Sequence, residues 1–218
     1  MKLPALPFSK PAGARNASGA LLSGEEDELS ALRKKNTELQ LQLELHHLVI
    51  ERYRKFIEDG ESKSIAELRS LVRPADSAIV EMKILISDQF RPYVYEQNFL
   101  HAVQKALDTI FAYRKVSMPV SFWTSFGDIT RLHAGEDIDK ALLLCSLLRA
   151  LGSDSAHVLI GKEKNAWVAF DFGEKHYVVD IANRTMSAYP LGDDAIRAFM
   201  HAVQYSFNDK EYQDFSEP

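Results

Sequence analysis

From Ser23 onward, apolar and polar positions alternate at spacings of three and four for nearly forty residues. With Leu29 at heptad position a, the a series reads Leu29, Asn36, Leu43, Ile50 and Ile57, and the d series Leu32, Leu39, His46 and Tyr53. Four successive heptads in one phase predict a coiled-coil helix over residues 25–60. Ser23 with Glu26 forms a capping-box pattern at its start, and the acidic run over 25–28 suits the positive end of the helix dipole. Gly60 supplies a residue able to end the helix in the left-handed region. Asn36, alone among apolar a residues, favours two parallel strands, because paired Asn side chains bond each other across the seam. Glu28 at g and Arg33 at the following e attract across such a pair. The expectation is a homodimer through residues 29–57, with Leu29, Leu32, Asn36, Leu39, Leu43 and Ile50 as its oligomerisation residues. The alternative is a helix folded back on its own body, since the seam grows less regular at His46, His47 and Tyr53.

On either side of the rod the pattern changes. Residues 1–24 are rich in Pro, Gly, Ala and Ser, and Pro4, Pro7 and Pro11 oppose a regular helix, so this stretch reads as a disordered tail. Beyond the rod, Ser64-Ile65-Ala66-Glu67 caps a short helix that stops before Pro74. Residues 76–90 carry two signals. Val80, Met82, Ile84 and Ile86 alternate as in a strand, whereas Asp76-Ser77 has the form of a helix cap, which tips the reading to helix. Phe99, Leu100, Val103, Leu107, Ile110 and Phe111 line one face of a helix over 95–113. Residues 61–117 therefore form a helical linker or subdomain.

Residues 118–218 form the body. Gly135-Glu136-Asp137 opens a helix that runs to Leu151 and ends at Gly152. Leu142, Leu143, Leu144, Cys145, Leu147 and Leu148 point in nearly every direction around it, so other elements must enclose it. Strands are predicted over 156–160, 165–172 and 175–182. Gly173-Glu174 suits a two-residue hairpin turn that sets Phe172 opposite Lys175 and Trp167 opposite Asp180. Asn165 then shares a sheet face with Trp167, Asp171, His176 and Asp180, diagonal to Asp180 at about 7 Å. Asp137 is the natural third party if its helix packs on that face. A last helix is expected after Asp193-Asp194, with Ala195, Ile196, Phe199, Met200, Val203 and Phe207 as its stripe, before an acidic end that frays. Helices first, then strands around one buried helix, make an α+β protein.

Composition narrows the partners. The chain has 218 residues, 46% of them hydrophobic and 26% charged, which is globular and excludes wholesale disorder. No apolar run approaches the ~20 residues of a membrane span. A net charge of −5 gives no general attraction to phosphate, so no nucleic-acid partner is expected. The single cysteine, Cys145, rules out an internal disulfide and a multi-thiolate zinc site, which sets a reducing, cytoplasmic location as the expectation.

One stretch carries a resemblance. Gly135-Glu136-Asp137-Ile138-Asp139-Lys140-Ala141, Leu147-Leu148-Arg149-Ala150-Leu151-Gly152, Gly161, Asn165-Ala166-Trp167-Val168 and Val178-Val179-Asp180 resemble the transglutaminase-like domains of the papain-type fold. The resemblance covers residues 122–182. It implies a buried helix packed on an antiparallel sheet, here preceded by the coiled coil. In that family a cysteine opens the helix in a Gly-x-Cys-x-Asp-x-Ala pattern, a His-Ala-Trp-Val strand supplies the base, and an Asp on the next strand orients it. In this chain the cysteine position is Asp137, the histidine position is Asn165, and Asp180 alone keeps the family identity.

That substitution decides the expected chemistry. Thiol acyl transfer needs a thiolate and a base that moves its proton. A carboxylate is a poor acyl nucleophile, and an amide takes no proton near neutral pH. Cys145 lies eight residues down the helix, about 12 Å from its start. His176 is four strand residues from Asp180, about 13 Å away. The expectation is a catalytically inactive protein whose inherited cleft, with Trp123, Asp137, Asn165, Trp167 and Asp180 as its binding residues, takes a peptide or protein segment without cofactor or metal. Two alternatives stand beside it. One is a cysteine-independent hydrolase or acyltransferase using a rearranged site of Asp137, His133 and Asp180, with or without a bound cation; the other is a purely structural dimer. Asp137 has a plainer reading too, as the helix N-cap.

Overall fold

A computed structural model describes residues 17–61, 63–120, 122–163 and 165–215. The chain divides into two units, residues 1–53 and 54–218. A single helix, α1 (Ala17–Glu61), makes up the described part of the first unit and continues into the second. It begins eight residues before the expected start at 25, so Ser23 and Glu26 lie inside it rather than at a capping box. Ala17, Ala20, Leu21 and Leu22 are good helix formers, and extending an existing helix needs no new nucleus. The rest of the expected tail, with its three prolines, lies outside the described residues. At the other end the helix passes through Gly60 to Glu61, whose carbonyl accepts the indole N–H of Trp123 at 3.0 Å. With that terminal carbonyl satisfied by a side chain, no left-handed glycine is required.

The second unit opens with three helices: α2 (Ile65–Arg69), α3 (Ser77–Ser87) and α4 (Tyr95–Ala112). Ser64 and Glu67 form the expected capping box on α2. Residues 77–87 are helical, as the Asp76 cap suggested; Asp76 accepts from Ala78 N–H, and Ala78, Ile79, Met82 and Ile86 are buried at helical spacing. Two short segments, β1 (Arg114–Lys115) and β2 (Ala134–Gly135), then pair in parallel around α5 (Phe126–Leu132), an element the sequence pattern did not reveal.

Helix α6 (Asp137–Ala150) follows at once. Leu143, Leu144, Cys145, Leu147 and Leu148 are all 0% exposed, as expected of a helix that is apolar all round. It ends in a Schellman motif: Ser153 N–H donates to Leu148 O and Gly152 N–H to Arg149 O, with Gly152 at φ +110°.

The main sheet has the strand order β6-β5-β4-β3-β7-β8, every neighbouring pair antiparallel. Its strands are β3 (His157–Gly161), β4 (Ala166–Phe172), β5 (Lys175–Asp180), β6 (Thr185–Pro190), β7 (Val203–Phe207) and β8 (Tyr212–Asp214). The single expected C-terminal helix is therefore corrected. Helix α7 (Asp194–Met200) stops before Val203, and residues 203–207 form a strand paired with β3. Val203, Tyr205 and Phe207 favour a strand locally, and the exposed edge of β3 completes its ladder only by taking them. The acidic end pairs as β8 rather than fraying throughout.

Each face of the sheet carries its own core. Val158, Ile160, Val168, Phe170 and Val179 pack with α6, α3 and α4 in the large one. Leu159, Ala169, Val178, Val203 and Trp167 pack with Ile196, Phe199 and Met200 of α7 in a smaller one. The molecule is an α+β protein with a buried helix on an antiparallel sheet. Among the described residues, no helix is long and apolar enough to cross a membrane.

Candidate functional site

The start of α6 is built by a non-local pairing. The β1–β2 ladder sets Lys115 beside Gly135, two residues before Asp137. The Lys115 ammonium then bonds the Asp137 carboxylate, whose side chain is only 19% exposed. The N-cap is Glu136, not Asp137, which begins the helix proper. Glu136 Oε1 accepts Met118 N–H at 2.7 Å, fixing the segment after β1 against the helix. Asp139 is buried and accepts the backbone N–H groups of Glu136 and Thr124 at 3.1 and 3.3 Å. Burial pushes its carboxyl above the usual range, more than these bonds lower it. Lys140, the next residue, is buried and donates to Tyr113 O at 3.0 Å. Burial pushes this ammonium down; Asp137 opposes that shift, whereas Arg184 and Lys115 reinforce it. Every carboxylate in the first turn is thus already bonded within the protein.

On the sheet, the hairpin register is the one expected: Trp167 faces Asp180, Asp171 faces His176 and Phe172 faces Lys175. The expected convergence on Asp137 requires a correction, because Trp167 and Asp180 lie on the face covered by α7, opposite α6. The reason is visible in the alternation: Ala166, Val168 and Phe170 are the apolar set of β4, and they take the α6 side. Asp180 is fully engaged in its own corner. Oδ2 accepts Trp167 Nε1–H at 3.1 Å and Asn183 Nδ2–H at 3.0 Å, while Oδ1 accepts Asn183 N–H at 2.8 Å. Burial alone would raise this carboxyl, but the bonds from Asn183 and Trp167 outweigh it and hold the pKa below the ordinary value.

Asn165 is not part of that corner. It precedes β4, is exposed, and closes the β3–β4 turn by accepting Gly161 N–H on its backbone oxygen at 2.8 Å. Trp167 brings its six-membered ring against Gly161, where an added Cβ would meet it at 2.7 Å, and it meets Phe199 in an edge contact with ring centroids 5.1 Å apart. Trp167 is thus a packing residue of the α7 layer. Trp123 is held by its bond to Glu61 and packs against the main core.

The remaining nucleophile and imidazoles are elsewhere. Cys145, the chain's only thiol, is 0% exposed inside α6, and burial pushes its pKa far above the normal thiol value. His133 caps α5 in the left-handed region at φ 49°, its ring edge on Tyr113 at 5.3 Å. His157 contacts Ser155 O through Nδ1, and burial lowers its pKa. His176 pairs with Asp171 Oδ1 at 2.6 Å, at the opposite end of β5 from Asp180. Among the described residues, no three His, Cys, Asp or Glu side chains are arranged to hold a metal ion.

Removing the Asp180 carboxylate leaves an indole N–H and a turn amide without acceptors. We therefore expect Asp180→Ala to lower stability by about 1–3 kcal/mol, read from urea midpoints. The sign with pH follows from the depressed pKa. The carboxylate's share of stability is complete above the unfolded value of 3.8 and is lost as the pH falls through the lower folded value. The gap between wild type and variant should close in acid.

What these elements define is a class: an α+β body in which a helix start held by a lysine–aspartate pair stands on one side of an antiparallel sheet, and an Asp–Trp corner on the other. No family model and no curated protein matches the chain. Among solved structures, calcium-bound LapG of Legionella pneumophila is similar, with a TM-score of 0.42 and 12% identity over 64% of this chain and 88% of that one.

Proposed function

We propose that this chain is a transglutaminase-like protein without acyl-transfer chemistry, working as a peptide- or protein-binding and assembly module paired through its helical rod. One observation carries the reading: the only thiol is buried within α6, while the position that opens the helix holds a carboxylate bonded to Lys115. Without a thiolate there is no covalent acyl intermediate. The papain-type assignment is supported by the buried helix on an antiparallel sheet together with the motif residues at 135–141, 147–152 and 178–180. A binding role is supported by Val116, Met118 and Phe122, which are 37%, 37% and 44% exposed on the approach to the helix start. Apolar side chains left in water beside a fixed polar frame suit an extended peptide.

Purified protein offered a glutamine donor and an amine, or peptide and amide substrates, should show no turnover, and iodoacetamide should label Cys145 only in denaturant. Turnover lost in Asp137→Ala or Asp180→Ala would overturn the proposal.

Pairing through the rod is supported by its exposed a and d leucines: Leu29, Leu32, Leu39 and Leu43 are 48%, 58%, 54% and 70% exposed. Such a row is stable in water when a partner covers it. Changing Leu39 and Leu43 to Asp together should abolish parallel pairing, seen by light scattering as a halved mass and by circular dichroism as a loss of helix confined to the rod.

A further inference from the structure

The rod carries a second apolar line. Leu41, Leu45 and Leu48 are 58%, 55% and 65% exposed on successive turns. At about 100° per residue they fall within a ~60° arc on the side opposite Leu32, Asn36, Leu39 and Leu43. A coil closed through the a and d residues leaves this line in water, at positions c and f that ordinarily hold polar side chains. Three leucines in file are a continuous stripe rather than scattered surface residues.

The chemistry around the stripe selects its partner. Seven residues before Leu45 on the same line stands Glu38, and seven after it stands Arg52; four before is Leu41, and four after is Val49, itself 56% exposed. At these positions the sequence is complementary to its own reverse about Leu45, while Leu48 meets the aliphatic stem of Gln42. We infer that two copies of the rod pack antiparallel across this stripe, centred on Leu45, with Glu38 of each copy against Arg52 of the other. The pairing is isologous, so both charge contacts form at once. A parallel arrangement would set Glu38 against Glu38 and Arg52 against Arg52, which is repulsive. This surface goes beyond the a and d seam and does not depend on it; because the two lie on opposite sides of the rod, their joint operation builds an open row of rods rather than a closed set.

Disulfide trapping in the full-length protein separates the two surfaces, because Cys145 is buried and only introduced thiols can react. Helices packed about 8–10 Å apart bring facing side chains within reach of a bridge. Leu45→Cys should form a chain-to-chain disulfide under mild oxidation, and a mixture of Glu38→Cys and Arg52→Cys chains should form one that neither forms alone. Asn36→Cys reports the seam independently. Trapping at 45 and across 38–52 with position 36 silent would uphold this surface and remove the parallel seam. Trapping at 36 but not at 45, or at neither, would overturn the inference, as would trapping at 45 without the 38–52 product. Capture of a different protein's helix at 45 in place of a second copy would overturn it too. Either charge reversal alone, Glu38→Arg or Arg52→Glu, should weaken this association about tenfold, and the double reversal should restore it.

Discussion

Replacing Arg149 with alanine should cost the fold about 3–5 kcal/mol, a large share of the stability of a domain this size. The Arg149 side chain is 4% exposed and stands where the last turn of α6 meets two loops. Its Nε donates to Asp209 Oδ1 at 2.7 Å and its Nη2 to Asp209 Oδ2 at 3.3 Å, a bidentate pair with the turn between β7 and β8. Its Nη1 donates to the carbonyls of Ser153 and Asp154 at 3.0 and 2.6 Å, just past the Schellman motif. Alanine removes every one of these donors and leaves a carboxylate that is 28% exposed and two carbonyls short of partners. Lysine should recover little, since one ammonium cannot span the fork and both carbonyls. Urea unfolding of Arg149→Ala, Asp209→Ala and the double variant checks this. The double variant should cost clearly less than the two single losses added together, because removing both partners leaves no unpaired charge. Additive losses would show that the pair is not the source.

How far the chain could be read in advance depended on whether each signal was local. Helix α6 was legible because six apolar side chains in seven positions leave no polar face, and burial of all six follows. The β4–β5 hairpin was legible residue by residue because a two-residue turn with Gly173 at φ +60° leaves one register. The strand at 203–207 was not, since Val203 and Phe207 fit a helical spacing of four, whereas in the strand a register shift beside Gly161 sends them to opposite faces of the sheet. Pairing with β3, some forty residues earlier in the chain, decided between them. Strand β6 lies at the sheet edge, with most of its residues exposed, and so has no apolar alternation to announce it.

The site divides the same way. That Trp167 and Asp180 share a face was readable from register. Which face meets α6 was readable too, from the apolar run Ala166, Val168, Phe170, since the motif residues Trp167 and Asp180 belong to the more polar set. The Lys115–Asp137 pair had no local signal at all. It depends on a parallel ladder between segments separated by α5, and such ladders leave no trace in two residues each.

The other large loss is expected at Phe170, where replacement by alanine should cost about 3–5 kcal/mol. Phe170 is 0% exposed on the α6 side of β4. Tyr177 of β5 stacks on it at 4.9 Å with ring planes 4° apart, and Phe99 of α4 meets its edge at 5.6 Å and 90°. Phe99 in turn touches Phe172 at 5.3 Å and Tyr95 at 4.6 Å, so one ring joins two strands to a helix through an aromatic cluster. Two effects compete when it is removed: the void can stay open, or its walls can close in. The walls are rings fixed by the sheet ladder and by a helix whose Phe99, Ala102, Val103 and Ala106 are all 0% exposed, so closure should be small and the void should persist. Persistence predicts a separate signature. A small apolar probe such as benzene should raise the thermal midpoint of Phe170→Ala and leave the wild type unchanged. A loss below about 1.5 kcal/mol without probe binding would mean that the sheet and α4 move together to fill the gap. The aromatic cluster would then not be the rigid frame that holds the body together.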